Sequence, residues 1–348
     1  MTSEVLIRTE GQVGRITLNR PQALHALTTA MCREMIAVLQ AWREDAAVAL
    51  VMIDHAGERG FCAGGDIRAL VDSVAQGGEA ADEFFFTEYQ LDHLIFGYPK
   101  PILALMDGVV MGGGAGISLP ARFRVATERT RFAMPETGIG LFPDVGACWL
   151  LARMPDHAGA WLALTGARID PADCELLGIV TDFVESGRLE AFKAAVIAEP
   201  ARVEALLAEY EGDAGRPEFA ARQDQIGRLF GAPSLEALLA GLESDGSEWA
   251  LEQRRIILSK SPLCSAVAFR HLAEAGRTEN FAQVMEREYR IAVRLIRRPD
   301  FAEGVRATII DKDQKPRWTP AALAEVTEAM VDEIFAPLPP ERSWAPLP

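Results

Sequence analysis

Two carboxylates stand eight residues apart in Pro135-Glu136-Thr137-Gly138-Ile139-Gly140-Leu141-Phe142-Pro143-Asp144, on either side of a glycine-proline turn. A second segment, Met111-Gly112-Gly113-Gly114-Ala115-Gly116, is a run of glycines entering a predicted helix. A third, Phe61-Cys62-Ala63-Gly64-Gly65-Asp66-Ile67, sets glycines between a predicted strand and a predicted helix. Carboxylates supply an acid, a base or a nucleophile. Glycine-rich helix starts supply backbone N–H groups for a developing oxyanion. Together they point to chemistry on a carbonyl compound, not on nucleotides or metals.

Each feature has a plainer reading. Gly112, Gly113 and Gly114 could serve tight helix–strand packing, but three in a row beside a second such loop, with Gly64 and Gly65, favour close approach of the backbone to a ligand. Glu136 could be a surface carboxylate. Its neighbours Phe132, Met134, Ile139, Leu141 and Phe142 instead predict an apolar setting that raises its basicity. Asp144 could simply cap a helix over 145–153. Both carboxylates are read here as site residues. Cys62 has no histidine near it in sequence and reads as a small buried residue.

Other chemistries lack their residues. The chain has no GxxxxGK[ST], no GxSxG and no HExxH, and isoleucine at 117 spoils a dinucleotide fingerprint over 112–117. The five histidines (His25, His55, His93, His157, His271) are isolated and read as structural or surface residues. The formal net charge of −15 argues against a nucleic-acid partner. The apolar runs at 48–53 and 109–111 are far too short to cross a membrane. Glu4 and the alternation that follows it predict no targeting peptide. Five scattered cysteines without CxxC spacing suit reduced thiols, so a cytoplasmic protein is expected.

With 348 residues, 49% of them hydrophobic, the chain can bury an ample core around these loops. Residues 4–19 read as a hairpin. Thr28 reads as the N-cap of a helix whose stripe is Met31, Met35, Val38, Leu39 and Trp42, a spacing that suits core packing. Apolar runs at 48–53, 101–106 and 123–126 read as buried parallel strands, with a last strand at 180–184. From about 188 the chain turns Ala/Leu/Glu/Arg-rich, predicting helices over 188–199, 201–211, 234–243, 248–259, 265–274, 280–297 and 320–335. An α/β half, 1–187, therefore carries the glycine loops, and an all-helical half, 188–348, follows.

The three segments resemble those of the crotonase (enoyl-CoA hydratase/isomerase) superfamily, and within it the 3-hydroxyisobutyryl-CoA hydrolases. The likeness runs from the hairpin through Leu18-Asn19-Arg20-Pro21 to Phe301-Ala302-Glu303-Gly304-Val305-Arg306-Ala307 and Asp311-Lys312-Asp313, nearly the whole chain. The resemblance implies a spiral of ββα turns, with a helical C-terminal region that closes the site and often mediates assembly, which makes a homo-oligomer an expectation. It puts the oxyanion donors on the N–H groups of Gly65 and Gly113, the catalytic carboxylates on Glu136 and Asp144, and a further substrate-contacting glutamate on Glu88. Typical hydratases carry a second catalytic glutamate two residues after the triple glycine. Here that residue is Gly116, as in the hydrolases.

The activity implied is hydrolysis of a short, branched 3-hydroxyacyl-CoA such as 3-hydroxyisobutyryl-CoA, as in valine breakdown. CoA is then part of the substrate and no separate cofactor is expected. Arg68, Lys260, Lys312 and Lys315 are candidates to meet its phosphates. The alternatives are an enoyl-CoA hydratase or isomerase on the same fold, or a non-catalytic acyl-CoA-binding subunit.

Overall fold

In the computed structural model, which describes residues 3–57 and 59–347, β1 (Val5–Glu10) and β2 (Val13–Leu18) form the expected antiparallel hairpin. Thr28 caps α1 (Thr29–Glu44), its hydroxyl accepting the Met31 N–H at 3.2 Å, and Met31, Met35, Leu39 and Trp42 are buried. The chain then winds through three strand pairs. These are β3 (Leu50–His55) with β4 (Gly60–Cys62), β5 (Ile102–Met106) with β6 (Val109–Met111), and β7 (Phe123–Ala126) with β8 (Arg131–Ala133).

The first member of each pair joins a six-stranded sheet, ordered β1-β2-β3-β5-β7-β9 with β9 at Asp182–Phe183; the second joins a three-stranded sheet, β4-β6-β8. The strand-to-strand pairings after the hairpin are parallel, and Phe132 of β8 also makes an isolated antiparallel bridge with Ile169. Between turns lie α2 (Ile67–Ala75), α3 (Glu79–Phe96) and the single-turn α4 (Gly113–Gly116). This is the spiral of ββα turns that the resemblance implied.

The large sheet is covered on both faces, which is why its strands read as unbroken apolar runs. Val51, Ile53, Ile102, Ala104 and Met106 face the main core. The alternate residues Leu50, Met52, Leu103 and Leu105 pack under the helices Leu189–Ala198 and Val203–Tyr210 through Phe192, Val196, Leu206 and Leu207. The main core also takes in side chains of Leu235–Asp245, Glu248–Leu258, Pro262–Arg277 and Phe281–Leu295, so helices from beyond residue 188 share one core with the spiral.

Three expectations about the C-terminal half need correction. Helices Gln223–Phe230 and Pro299–Val305 were not foreseen. The stretch read as helical over 320–335 is an α-helix only at Glu328–Phe335. Its first part holds only the 3-10 turn Leu323–Glu325, and the two residues just before the stretch are anchored elsewhere: the Trp318 indole N–H donates to Ser259 O at 2.9 Å and the Thr319 N–H to Asp300 Oδ1 at 2.6 Å. Among the described residues, no helix is long and apolar enough to cross a membrane.

Candidate active site

The two glycine loops follow β4 and β6, neighbours in the small sheet, and therefore lie side by side. Gly64 (φ +111°) and Gly112 (φ +47°) adopt backbone angles that L side chains avoid. The fit between the loops is tight. A methyl group added at Gly64 would sit 3.7 Å from Gly113 N, and one at Gly112 would sit 3.3 Å from both Gly64 Cα and Glu136 Oε1. At Gly113 it would strike Glu88 Oε1, and at Gly114 the Cys62 carbonyl. Glu136, Glu88 and both loops thus meet at one point.

Their N–H groups are placed to be used. The bridge between Leu27 and Gly65 is made by the Leu27 N–H on Gly64 O (2.8 Å) and the Asp66 N–H on Leu27 O (2.9 Å), which leaves the Gly65 N–H outside that pairing. The Gly113 N–H belongs to the first turn of α4, where a helix has no partner for its donors. Gly113→Ala is expected to lower turnover about 10²-fold, the scale of losing one oxyanion donor, because the methyl must displace Glu88 and approach within 3.0 Å of Leu27 Cδ1. Steady-state kinetics on the folded variant checks it.

Glu136 opens a 3-10 turn, Glu136–Ile139, after β8, and its Oε2 is buried without a partner among the described residues. Burial and the nearby Asp144 push its carboxyl well above the usual range, against a downward pull from the Lys260 ammonium. Lys260 follows the helix Glu248–Leu258. It is tied to the turn through the Ser261 N–H on Thr137 O (3.1 Å).

Asp144 does not cap a helix. Val145 (φ +55°) and Gly146 (φ +75°) are both left-handed, and α5 (Ala147–Leu151) starts only after them. The Asp144 carboxylate instead accepts the Tyr89 O–H at 2.6 Å, and burial raises its pKa to about 7. Glu88 lies one residue before Tyr89 on α3. Burial, Asp144 and Glu136 hold its carboxyl well above the usual range, and its Oε1 has no partner among the described residues. Asp92, one turn on, is wholly buried with neither carboxylate oxygen partnered among those residues. It fills the space beside Gly116, where an added methyl would lie 2.7 Å from Asp92 Oδ1.

A cavity of about 590 Å³ opens onto this cluster, with Gly64, Gly65, Gly112, Gly113, Glu88, Glu136 and Asp144 in its wall. Of the predicted site glycines, Gly114 lies behind the wall, packed on Cys62. Lys260 and Lys315 line the cavity, joined by Arg168, which the sequence did not suggest. Arg68 and Lys312 do not line it. Cys62 is buried, donates to His25 O at 3.2 Å, and has its thiol pushed up to about 12, so it is no nucleophile. Among the described residues one group, Cys148, His271 and Glu288, brings ligand-type atoms within 4.8 Å of one another, outside this cavity.

The sequence profile of the enoyl-CoA hydratase/isomerase family matches residues 13–335. The chain belongs to this family. Like it in sequence are proteins named 3-hydroxyisobutyryl-CoA hydrolase, mitochondrial: that of Danio rerio is 43% identical, over 97% of this chain and 90% of the relative, and that of Homo sapiens 41%, over 96% and 89%. Two solved structures share its fold closely. A carnitinyl-CoA dehydratase of Mycobacterium thermoresistibile superposes with a TM-score of 0.93 at 38% identity, over 97% of this chain and 98% of the other. An enoyl-CoA hydratase of Rhodobacter sphaeroides 2.4.1 gives 0.91 at 40%, over 99% and 100%.

The crotonase expectation thus holds for family and fold. The cytoplasmic expectation finds no support, since the named relatives are mitochondrial. In this family member all five cysteines are buried and free, which fits a reducing compartment of either kind.

Proposed function

We propose that this enoyl-CoA hydratase/isomerase family member hydrolyses a short, branched 3-hydroxyacyl-CoA thioester, with 3-hydroxyisobutyryl-CoA as the expected substrate. One observation carries the reading: Glu136 is buried against the two glycine loops, while residue 116, where typical hydratases carry their second catalytic glutamate, is a glycine closed in by Asp92 and Val145. Hydration of a double bond needs paired acid and base groups across the substrate. Thioester hydrolysis needs one activating carboxylate and an oxyanion site.

In this reading the thioester carbonyl oxygen accepts hydrogen bonds from the Gly65 and Gly113 N–H groups. Ionised Glu136 attacks the carbonyl carbon, or removes a proton from the water that does. Either route consumes one water, breaks the C–S bond and releases the free acid and the CoA thiol. Asp144, steadied by Tyr89, takes the substrate's 3-hydroxyl, with Glu88 beside it. A buried carboxylate left unpaired by a substrate lacking that hydroxyl rejects it. Lys260, Lys315 and Arg168 supply the positive charge that an acidic chain must offer to CoA phosphates.

A hydratase is the second reading, favoured by the two structural neighbours, one named a carnitinyl-CoA dehydratase and the other an enoyl-CoA hydratase. Purified protein given crotonyl-CoA and 3-hydroxyisobutyryl-CoA separates the two. Free thiol from the second substrate supports hydrolysis, and loss of the conjugated absorbance of the first without thiol overturns it.

Lys260 gives a sharper check. The working form of Glu136 is the carboxylate, so activity rises with pH through its raised pKa. Lys260→Met removes the cation that draws that pKa down. The acid limb of kcat, read at saturating substrate so that the lost phosphate contact falls on KM, is expected to move to higher pH, with roughly tenfold loss near neutrality and little change at the alkaline plateau. A pH–rate profile by thiol release reads it.

A further inference from the structure

The turn that presents Asp144 is held from the C-terminal half of the chain. Val145 is β-branched, buried and left-handed, a conformation such a residue keeps only where its surroundings impose it. Its Cβ is wedged against Gly116, where an added methyl would be 2.8 Å away. Gly146, also left-handed, lies against the helix Phe281–Leu295: a methyl there would sit 2.5 Å from the Phe281 ring and 3.1 Å from Met285 Sδ. The Gly146 N–H, which the short α5 leaves unused, donates to Glu288 Oε2 at 2.6 Å. Glu288 Oε1 lies 3.0 Å from His271 Nε2 on the helix Pro262–Arg277. Both side chains are wholly buried and neither lines the substrate cavity.

Burial sets the protonation of this pair. It raises the Glu288 carboxyl to about 8 and lowers the His271 imidazole to about 3. One proton then lies between Glu288 Oε1 and His271 Nε2, while Glu288 Oε2 accepts the Gly146 N–H. Remove Glu288 and that N–H is orphaned in the interior. Val145 then has a reason to relax toward ordinary backbone angles, turning Asp144 away from the Tyr89 hydroxyl.

We propose that Glu288 is a positioning residue for Asp144, and that by fixing the left-handed turn at Val145 and Gly146 it sets the enzyme's preference for a thioester bearing a 3-hydroxyl. The inference rests on the reading of Asp144 as the hydroxyl's partner. Glu288 touches no substrate. It acts through the turn.

The test compares kcat and KM on 3-hydroxyisobutyryl-CoA and isobutyryl-CoA in the full chain and its variants. E288Q keeps a carbonyl for Gly146 and an N–H for His271, and is expected to stay within about threefold of the parent on both substrates. E288A is expected to lose about 30-fold or more in kcat/KM on the hydroxylated substrate and less than threefold on isobutyryl-CoA, so the preference collapses. If E288A does not fold, E288D, one methylene shorter, carries the same comparison. Equal losses on both substrates, or a preference that survives, overturn this inference alone. A parent chain without any preference for the hydroxyl overturns the reading of Asp144 and this inference with it.

Discussion

Glu136→Gln is expected to cut turnover of 3-hydroxyisobutyryl-CoA by about 10³-fold or more while the folded protein becomes harder to melt at alkaline pH. The amide keeps the shape of the side chain in a site where one oxygen already lacks a partner among the described residues. It cannot act as nucleophile or base. The stability gain follows from the raised pKa. An unfolded glutamate ionises near pH 4.3, whereas the folded one keeps its proton to well above the usual range. Between those values the folded state binds more protons than the unfolded state, so stability falls as pH rises. Above them the cost is fully present, and glutamine does not bear it. Melting curves of parent and variant should therefore separate at pH 8 and draw together below about pH 4. A variant that keeps more than a tenth of parental thiol release ends the assignment of Glu136.

Asp144 follows the same logic. Its pKa of about 7 means that the parent sheds stability between the usual aspartate range and neutrality. Holding Glu88, Glu136 and Asp144 together out of water is a stability cost located at the candidate site. Such a grouping has a ready chemical use and no evident structural one.

How much of this was legible beforehand depends on how local each feature is. The strands at 101–106 and 123–126 are found within a residue of where the apolar runs put them, since a strand buried on both faces carries its signal in consecutive residues. The Thr28 cap and its helix were equally local. The glycine loops and Glu136 could be named because their residue types are unusual where they stand. Asp144 was ambiguous because a proline–aspartate step before a helix is a good cap on sequence alone. Two left-handed residues after it, one a valine, reversed that, and nothing in the local sequence announces a left-handed valine.

Gly304 illustrates another limit. It reads as a helix breaker, yet it sits in the helix Pro299–Val305 because only glycine lets that helix lie on the Ile139 backbone, where an added methyl would be 2.5 Å from the carbonyl carbon. Asp92 and Glu288 went unnamed, and Lys260 was named only as a candidate for the CoA phosphates and not as a neighbour of Glu136, for a different reason. Lys260, just after the helix Glu248–Leu258, and Glu288, on the helix Phe281–Leu295, stand more than a hundred residues beyond Glu136. Asp92 shares α3 with Phe84, Phe85 and Leu91, buried around the helix, so no polar stripe marks it.

Gly116→Glu is expected to yield a destabilised protein without hydratase activity, although it restores the second carboxylate typical of hydratases. The place is taken. The new Cβ alone would lie 2.7 and 2.8 Å from the two oxygens of Asp92 and 2.8 Å from Val145 Cβ. A second ionisable group is forced against wholly buried Asp92, whose oxygens have no partner among the described residues, and would have to be buried beside it. An uncompensated buried charge costs about 3–5 kcal/mol. Displacing Val145 also disturbs the turn that holds Asp144, so thiol release should fall about 10²-fold or more in whatever protein folds. Asp92→Ala in the same chain removes the carboxylate and its clash but not the contact with Val145, and should recover part of the lost melting temperature without restoring thiol release to the parental rate. If Gly116→Glu alone folds with parental stability and hydrates crotonyl-CoA, Asp92 does not occupy the space assigned to it. The hydrolase reading would then lose its main structural support.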